Sequence, residues 1–357
     1  MHTRGLKLGI YSNYGAKTCM GYAGTLDEHM QIDAQTFASW DVDMFKFDGC
    51  FMKLEKLDQA YPKMWKYLNE TGHQFVYSCS WPFYIRASGK AEPNYKAVSK
   101  YCNLWRNYLD ISINWNSIID IINFYDKNQD TLAKFHGPGQ WNDPDMLVVG
   151  NPGLTVGQAR VQMAIWCIWS APLLMSNDLR HIAEEFKRVL LNRRLIAVNQ
   201  DPLGVMGKKI KEINGVRIYK KPMTPVETKK NLKIEYSYAI AFFNPGQASM
   251  EFIRVTLGDL GLQSEFGYFV EDLFSGKDLG KQLPDKQLVA KVHPMDVVVW
   301  KATILPEDSG EDSKRLFPET SVTFRELWPY YFFGFLLFLV LYRYRRRCKM
   351  RLRIRNI

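Results

Sequence analysis

The chain has 357 residues, of which 46% are hydrophobic, enough to bury a large core and to form two domains. Its formal net charge is +10, but segment 343–357 carries eight lysines and arginines and no acid, so the rest of the chain is nearly neutral at +2. Basic side chains confined to one tail, with Tyr344 as the one aromatic residue among them, do not make a nucleic-acid surface with stacking platforms. We therefore expect no nucleic-acid partner.

Apolar runs and helical periodicities alternate through the first part of the chain. Strands are predicted at 6–11, 42–48, 75–81, 106–110, 140–149 and 172–175. Helices are predicted at 26–40, 57–69, 95–104, 118–134, 156–169 and 182–198. Regular strand–helix repeats of roughly 30 residues are typical of an α/β fold in which helices cover a parallel sheet.

After Gly204 the pattern changes to short β-rich runs separated by Gly, Pro and Asn turns. These runs lie at 210–219, 237–243, 250–255, 266–270, 287–292 and 297–300. No long helix interrupts them, so we predict an antiparallel β-sandwich of about 100 residues. The predicted domains are therefore an α/β catalytic domain at 1–201 and a sandwich at 202–303.

The C-terminal region contains 16 consecutive residues without a charged side chain, at 327–342. As a helix this run would rise roughly 24 Å, enough to cross a bilayer with its flanking aromatic residues in the interfaces. The alternative is a buried C-terminal helix, but the arginines that follow match the positive-inside rule. We predict a linker at 304–324, a single transmembrane helix at 325–343 and a basic cytosolic tail at 344–357. The folded domains would then lie in the lumen or outside the cell, in the lysosome or secretory pathway.

The cysteines and histidines are scattered. No CxxC motif or His/Cys spacing typical of a metal site occurs, so we expect neither a metal nor a cofactor. Residues 69–71 read Asn-Glu-Thr, a sequon that makes Asn69 a candidate glycosylation site. Such a site agrees with a compartment in which disulfides form.

The run 42–50 ends in an unusual pair of charged residues. Read as a strand, it places Lys46 and Asp48 on the same face. A nearby ammonium group favours the ionised carboxylate, so Asp48 is a candidate nucleophile at the end of a strand. The alternative interpretation is a buried ion pair with a structural role.

Other polar residues at the predicted strand ends are mostly acids and aromatics. The carboxyl ends of parallel strands meet at one mouth of a barrel, and two carboxylates between aromatic walls suggest glycoside hydrolysis. Asp48, Asp110 and the pair Asp143 and Asp145 compete for the two roles. From the residues alone this assignment stays open.

Four motifs in order resemble the lysosomal α-galactosidase and α-N-acetylgalactosaminidase family, glycoside hydrolase family 27. They are KFDGC at 46–50, SCSWP at 78–82, CNLWRN at 102–107 and GQWNDPDML at 139–147, and PLLMSNDLR at 172–180 and NQDPLG at 199–204 extend the match. The resemblance implies a (β/α)8 TIM-type barrel followed by the sandwich. It also implies a homodimeric, retaining exo-α-glycosidase that removes terminal α-linked galactose or N-acetylgalactosamine from glycoconjugates.

The resemblance also implies roles for individual residues. Asp48 would be the nucleophile and Asp110 the acid/base. The sugar pocket would contain Tyr11, Lys46, Ser80, Phe83, Tyr84, Arg106, Asp145 and Met146. Two disulfides would lie beside the site, between Cys19 and Cys50 and between Cys79 and Cys102.

Two of these positions bear on the choice of sugar. In the family, a serine at the position of Ser80, with a small alanine three residues later, leaves room for an acetamide group. Here Ser80 matches that pattern, but Phe83 stands where the alanine would be. The two positions give opposite indications, and we favour N-acetylgalactosamine.

The resemblance is incomplete at the start of the chain. A closed barrel requires eight modules, whereas six are predicted, so the first two modules of the family pattern are expected to be missing. A fragment of a longer product explains this better than a degenerate homologue. The alternative function is an inactive, membrane-anchored sugar-binding or scaffold protein, but the presence of both Asp48 and Asp110 favours the enzyme.

Overall fold

The fold was derived from a computed structural model that describes residues 1–228 and 234–307. The first region contains five parallel strands, arranged in the order in which they occur in the chain. They are β1 (Gly9–Asn13), β2 (Met44–Asp48), β3 (Val76–Cys79), β4 (Leu104–Arg106) and β5 (Trp141–Asp143). Eight helices accompany them: α1 (Met30–Ser39), α2 (Leu54–Glu70), α3 (Trp81–Ala87), α4 (Tyr95–Tyr101), α5 (Trp115–Lys134), α6 (Val156–Ile168), α7 (Glu184–Leu190) and α8 (Arg193–Asn199). The predicted parallel α/β architecture is confirmed.

Strand β2 shows why this sequence forms a sheet covered by helices. Phe45 and Phe47 are fully buried and pack with the rings of Tyr61 and Tyr77. The alternate residues of β2 lie on the opposite face, where burial is only partial. Alternation thus places aromatic side chains in the core and leaves the residues between them for the inner face of the sheet.

The sheet has fewer strands than a closed barrel. The predicted sixth strand, 172–175, forms only an isolated bridge from Met175 to Leu147, so the residues that the structure describes supply five strands where closure takes eight. At the amino end of the sheet lies a cavity of about 450 Å³, whose lining includes Met44, Val76 and Leu104, the first residues of β2, β3 and β4.

Several predicted boundaries are wrong. The predicted strand 106–110 overlaps β4 only at Arg106, and the predicted strand 140–149 ends at Asp143. Three others are wrong for local reasons. The predicted strand 75–81 ends at Cys79, because Pro82 fits the first turn of a helix and α3 begins at Trp81. The predicted helix 95–104 ends at Tyr101, since Cys102 is extended before β4. The predicted helix 182–198 is two helices, because the side chain of Asn192 caps α8 by accepting from the N–H groups of Arg194 and Leu195.

The second region is an antiparallel β-sandwich. Its strands are β6 (Lys208–Ile213), β7 (Val216–Thr228), β8 (Ile234–Asn244), β9 (Glu251–Thr256), β10 (Tyr268–Asp272), β11 (Asp278–Gln282), β12 (Gln287–Val292) and β13 (Asp296–Ile304). Six form a sheet in the order β11-β10-β13-β8-β7-β6, and β12 pairs with β9. The sandwich prediction is confirmed, although β11 was missed because it lacks alternating apolar residues. The predicted run 210–219 is also wrong as a single strand, because it covers parts of the antiparallel strands β6 and β7.

The sandwich packs on the α/β region through α6, which contacts β8 and β13. Arg160 of α6 forms an ion pair with Asp296, with Nη1 3.1 Å from Oδ2. Nearby, the fully buried Lys221 donates from Nζ to Ser170 Oγ at 2.6 Å and to the carbonyl oxygen of Val198. These polar contacts fix how the sandwich packs against the α/β region.

Within residues 1–228 and 234–307 no helix is long and apolar enough to span a bilayer. The predicted transmembrane helix at 325–343 and basic tail at 344–357 lie outside the described residues, as does most of the predicted linker at 304–324.

Candidate active site

Asp48 is the last residue of β2, and three donors orient its carboxylate. The hydroxyl of Tyr84 donates to Oδ1 at 2.8 Å and that of Tyr11 donates to Oδ2 at 3.1 Å. The N–H of Gly49 donates to Oδ1 at 2.9 Å. The carboxylate is therefore held in one orientation while remaining partly exposed at the end of the strand.

The two tyrosines are suited to remain hydrogen-bond donors. Burial, together with the charge of Asp48, raises the pKa of the Tyr11 hydroxyl well above its usual range, and the charge of Asp110 adds to this effect. Burial and Asp48 raise the pKa of Tyr84 in the same way. Both carboxylates therefore lie near enough to Tyr11 for their charges to act on its hydroxyl.

Gly49 allows Tyr84 to reach Asp48. A Cβ atom on residue 49 would lie 2.8 Å from Cδ2 of the Tyr84 ring, a distance that side-chain carbons do not tolerate. Any larger residue would displace the ring, so the glycine after Asp48 allows α3 to pack closely against the end of β2.

Both disulfides that the family resemblance implied are present. The Cys19–Cys50 bond joins the loop after β1 to the end of β2, and Cys79–Cys102 joins the end of β3 to the residues before β4. Sγ of Cys19 lies 3.5 Å from Oδ2 of Asp48, so the first disulfide forms part of the site's wall. In the described part of the chain, Cys19, Asp48 and Cys50 are the single set of three metal-ligating side chains with ligand atoms within 4.8 Å of one another. Disulfide bonding removes their thiolates as ligands.

Arg106, at the end of β4, links two of the candidate acids. Its Nη2 lies 2.9 Å from Oδ1 of Asp110 and 2.9 Å from Oδ2 of Asp145. Burial would lower the pKa of the guanidinium, but Asp145, Asp143 and Asp110 outweigh it and the pKa is raised. Arg106 is therefore a permanent buried cation that positions Asp110, whose side chain is 89% exposed.

The two acids after β5 differ in their surroundings. Asp143 is buried, accepts the N–H of Asp145 at 2.8 Å, and has its pKa raised by burial. Asp145 adopts a positive φ of 83° and accepts the N–H of Ile111 at 2.7 Å. This turn brings the loop after β4 against the loop after β5, and it gives Asp143 a structural role. Asp48 and Asp110 are the more accessible carboxylates.

Lys46 does not form an ion pair with Asp48, which was the alternative interpretation of this strand. In the part of the chain that the structure describes, no nitrogen–oxygen distance of 4.0 Å or less joins them. Instead Lys46 lies beside Tyr11 in the strand register, with Nζ 5.9 Å from the centre of the tyrosine ring. The interpretation as a structural ion pair is therefore wrong.

The residues that bear on sugar choice lie at the start of α3. Ser80 is buried and precedes the first residue of α3. Phe83 and Tyr84 stand side by side, with ring centres 5.0 Å apart and planes at 65°. Met146 follows Asp145 and donates its N–H to Oδ1 of that residue at 2.9 Å. Most of the predicted pocket residues thus lie at or just beyond the carboxyl ends of the strands, whereas Tyr11 and Lys46 lie in the middle of β1 and β2.

Asn13 is a positioning residue that the sequence reasoning missed. It is fully buried, and its Oδ1 accepts the N–H of Cys50 at 2.7 Å while its Nδ2 donates to backbone oxygens of Tyr14 and Lys17. The available signal was a polar residue at the end of an apolar strand. Asn69, the predicted glycosylation site, lies exposed in the last turn of α2, with Nδ2 donating to the carbonyl of Trp65 at 2.7 Å.

Comparison with known proteins identifies the family. The family model described as α-galactosidase A matches residues 1–201, and that of the α-galactosidase C-terminal β-sandwich domain matches residues 230–302. The α-N-acetylgalactosaminidase of Gallus gallus is 42% identical over 324 residues, covering 88% of this chain and 76% of the relative. Human α-galactosidase A is 48% identical over 225 residues, covering 63% of this chain and 52% of that protein.

Solved structures agree. The crystal structure of α-galactosidase I from Mortierella vinacea matches with a TM-score of 0.72 and 26% identity, covering 84% of this chain and 77% of that one. The chain belongs to glycoside hydrolase family 27, the family of α-galactosidases and α-N-acetylgalactosaminidases.

Proposed function

We propose that the protein is a retaining exo-α-glycosidase that removes terminal α-linked N-acetylgalactosamine or galactose from glycoconjugates. The observation that carries this proposal is the oriented carboxylate of Asp48, held by two tyrosine hydroxyls at the same end of the sheet as Asp110. Family membership supports the reaction class. The alternative of an inactive sugar-binding scaffold has no comparable support, because binding alone does not require two carboxylates in one site.

The reaction proceeds by double displacement. Asp48 attacks the anomeric carbon from the face opposite the leaving group, while Asp110 protonates the glycosidic oxygen that departs. The result is a covalent glycosyl ester on Asp48. Water, deprotonated by Asp110, then attacks the same carbon, releases Asp48 and restores both groups. Two inversions give net retention of the α configuration.

The surrounding contacts serve these steps. Tyr11 and Tyr84 hold Asp48 in position before attack, which reduces the reorganisation needed to reach the transition state. Arg106 holds Asp110 at the mouth through a contact of 2.9 Å, where the high exposure of the carboxylate gives it access to both leaving group and water.

An azide-rescue experiment tests the nucleophile. In Asp48→Ala, hydrolysis of p-nitrophenyl α-glycosides should be lost, and sodium azide should restore turnover with a β-glycosyl azide as product, because a single displacement inverts the carbon. Asp130→Asn, which removes an exposed carboxylate paired with Lys208, is the control and should react like the unmodified enzyme. Normal activity in Asp48→Ala would refute the assignment.

For the sugar itself, we propose a preference for N-acetylgalactosamine. Ser80 supports it, since a short side chain leaves space, whereas Phe83 reduces that space. Phe83→Ala should raise kcat/KM for the α-N-acetylgalactosaminide relative to the α-galactoside, and Ser80→Glu should reverse the ratio. A ratio that neither variant changes would show that these positions do not select the sugar.

We further propose that the folded domains lie in the lumen or outside the cell, with 325–343 as a membrane anchor and the protein as a homodimer. The two disulfides and the exposed Asn69 sequon support the compartment, and the uncharged run at 327–342 supports the anchor. The dimer is what the family resemblance implies. Digestion with a glycosidase that removes N-linked glycans, compared with Asn69→Gln, tests the compartment. Alkaline carbonate extraction tests the anchor, and sedimentation of the detergent-purified protein tests the dimer.

A further inference from the structure

At the amino end of the sheet, three loops bring two histidines and two aspartates together. His2 precedes β1, Asp41 and Asp43 lie between α1 and β2, and His73 lies between α2 and β3. Nδ1 of His2 is 3.0 Å from Oδ2 of Asp41, and Nδ1 of His73 is 3.9 Å from Oδ1 of the same carboxylate. One carboxylate therefore faces the same ring nitrogen of two histidines.

The other nitrogen of each ring already contacts an acceptor. Nε2 of His2 lies 2.7 Å from Oδ2 of Asp43, and Nε2 of His73 lies 2.9 Å from the carbonyl oxygen of Val42. The carbonyl of Val42 can only accept, so Nε2 of His73 carries a proton and Nδ1 of the neutral ring carries the lone pair. His2 presents a ring nitrogen to a carboxylate on each side, and a neutral ring has a proton for only one of them.

This arrangement needs a positive charge. In the neutral state each ring turns one lone pair toward a carboxylate oxygen and is repelled by it, unless the ring takes up a second proton or a cation lies between the two groups. A carboxylate or carbonyl that fixes the outer nitrogen of a histidine is also the usual support for a metal-bound imidazole. The contacts around His2 and His73 thus match those of metal ligands and of their outer partners.

We propose that His2, Asp41 and His73 bind one Zn²⁺ ion at the amino end of the sheet. The ligands are the two Nδ1 atoms and a carboxylate oxygen of Asp41, with water as the fourth, a donor set suited to tetrahedral zinc. Asp43 and the Val42 carbonyl are the outer partners. The three ligand atoms do not all lie within 4.8 Å of one another, so side chains must rotate to close on the ion. The side chains of His2 and Asp41 are 37% and 66% exposed, which leaves them room to do so.

The place in the fold indicates a stabilising role. The three residues border an open cavity of about 1140 Å³, so an ion has access from solvent. Asp48 lies five residues after Asp43 along the strand, about 16 Å at the usual rise per residue. An ion there touches no reacting group, but it links the loops that lead into β1, β2 and β3.

Zinc titration of the full-length protein, expressed without a histidine tag, tests the proposal. Calorimetry should show one Zn²⁺ per chain, and saturating ZnCl₂ should raise the melting temperature by roughly 3 °C, since an ion that binds the folded state stabilises it. Co²⁺ should give the absorption bands of a four-coordinate ion.

The variants His73→Ala and Asp41→Asn should each weaken zinc binding by about tenfold or more and abolish the rise in melting temperature. His2→Ala provides a second test if His73→Ala lowers the yield of folded protein. His181→Ala is the matched control, because His181 contacts Asp178 at 3.0 Å without a second histidine, and it should bind zinc as the unmodified chain does. Unchanged zinc affinity in both ligand variants, or no melting shift in the unmodified protein, would overturn the proposal.

Discussion

The two ends of the parallel sheet hold their polar side chains in different ways. At the carboxyl end, Asp48 and Asp145 accept hydrogen bonds from backbone N–H groups and from buried or half-buried side chains. At the amino end, Asp41 and Asp43 meet His2, His73 and the exposed Lys7 through ion pairs near the surface. The carboxyl end is therefore oriented by a fixed framework, and the amino end by exposed charges that can rearrange.

This difference separates chemistry from stability. In barrel-type sheets the carboxyl ends carry catalysis and the amino ends carry stability. Changes at the carboxyl end should therefore alter turnover with little effect on the free energy of unfolding. Changes away from that end, at the amino end or where the sandwich packs, should alter the free energy of unfolding. The predictions that follow test this separation.

Asp110→Asn should have the largest effect. Loss of the acid/base group should lower kcat/KM by about 10²–10⁴-fold for a glycoside with an alcohol leaving group. The loss should be smaller for a p-nitrophenyl glycoside, because that leaving group needs little protonation. The melting temperature should not change, since the side chain is 89% exposed. Equal losses on the two substrates would contradict the acid/base role.

Lys221 should show the next largest effect, on stability alone. Burial lowers its pKa to about 8 in the folded protein, from 10.5 in the unfolded chain. Between these values the unfolded chain binds more protons, so this lysine adds stability as pH rises from 8 to 10.5, by about 3 kcal/mol. Thermal unfolding should show this rise in the unmodified protein relative to Lys221→Met.

The control for this experiment is Lys208→Met, which removes a partly exposed lysine of β6. Its melting temperature should follow that of the unmodified protein across the same pH range. If Lys221→Met also followed it, the buried amine would not be the titrating group.

Tyr84→Phe should have a smaller effect, on turnover alone. It removes one donor to the Asp48 carboxylate, and hydrogen bonds to charged groups contribute about 1.5–3 kcal/mol. We expect kcat to fall by roughly 10–100-fold while KM changes little. Tyr67→Phe, in α2 away from Asp48, serves as the control for loss of a hydroxyl. A fall in KM together with kcat would indicate a different role for Tyr84.

The smallest effect is expected for Asp130→Asn, which breaks an exposed ion pair of 2.8 Å with Lys208. Exposed pairs contribute about 0–1 kcal/mol, so neither turnover nor melting temperature should change measurably. A clear loss of stability would show that this contact between α5 and β6 is worth more than its exposure suggests.

Much of the fold and part of the site could be predicted from the sequence. Alternation in 42–48 identified the strand and placed Asp48 at its end, and the strand–helix repeats predicted the parallel sheet. The helix boundary at Asn192 and the whole of α3 were missed, because capping and turn geometry override periodicity over a few residues.

What the sequence by itself determined is the order of the strands and the candidate acids at their ends, since these depend on patterns within a few residues. Tertiary structure alone decided that Tyr84 reaches Asp48, that Arg106 holds Asp110, and that Asp143 is structural. It also decided that His2 and His73 meet at Asp41. Such contacts join residues far apart in the chain, and local periodicity carries no information about which distant side chains the packing brings together.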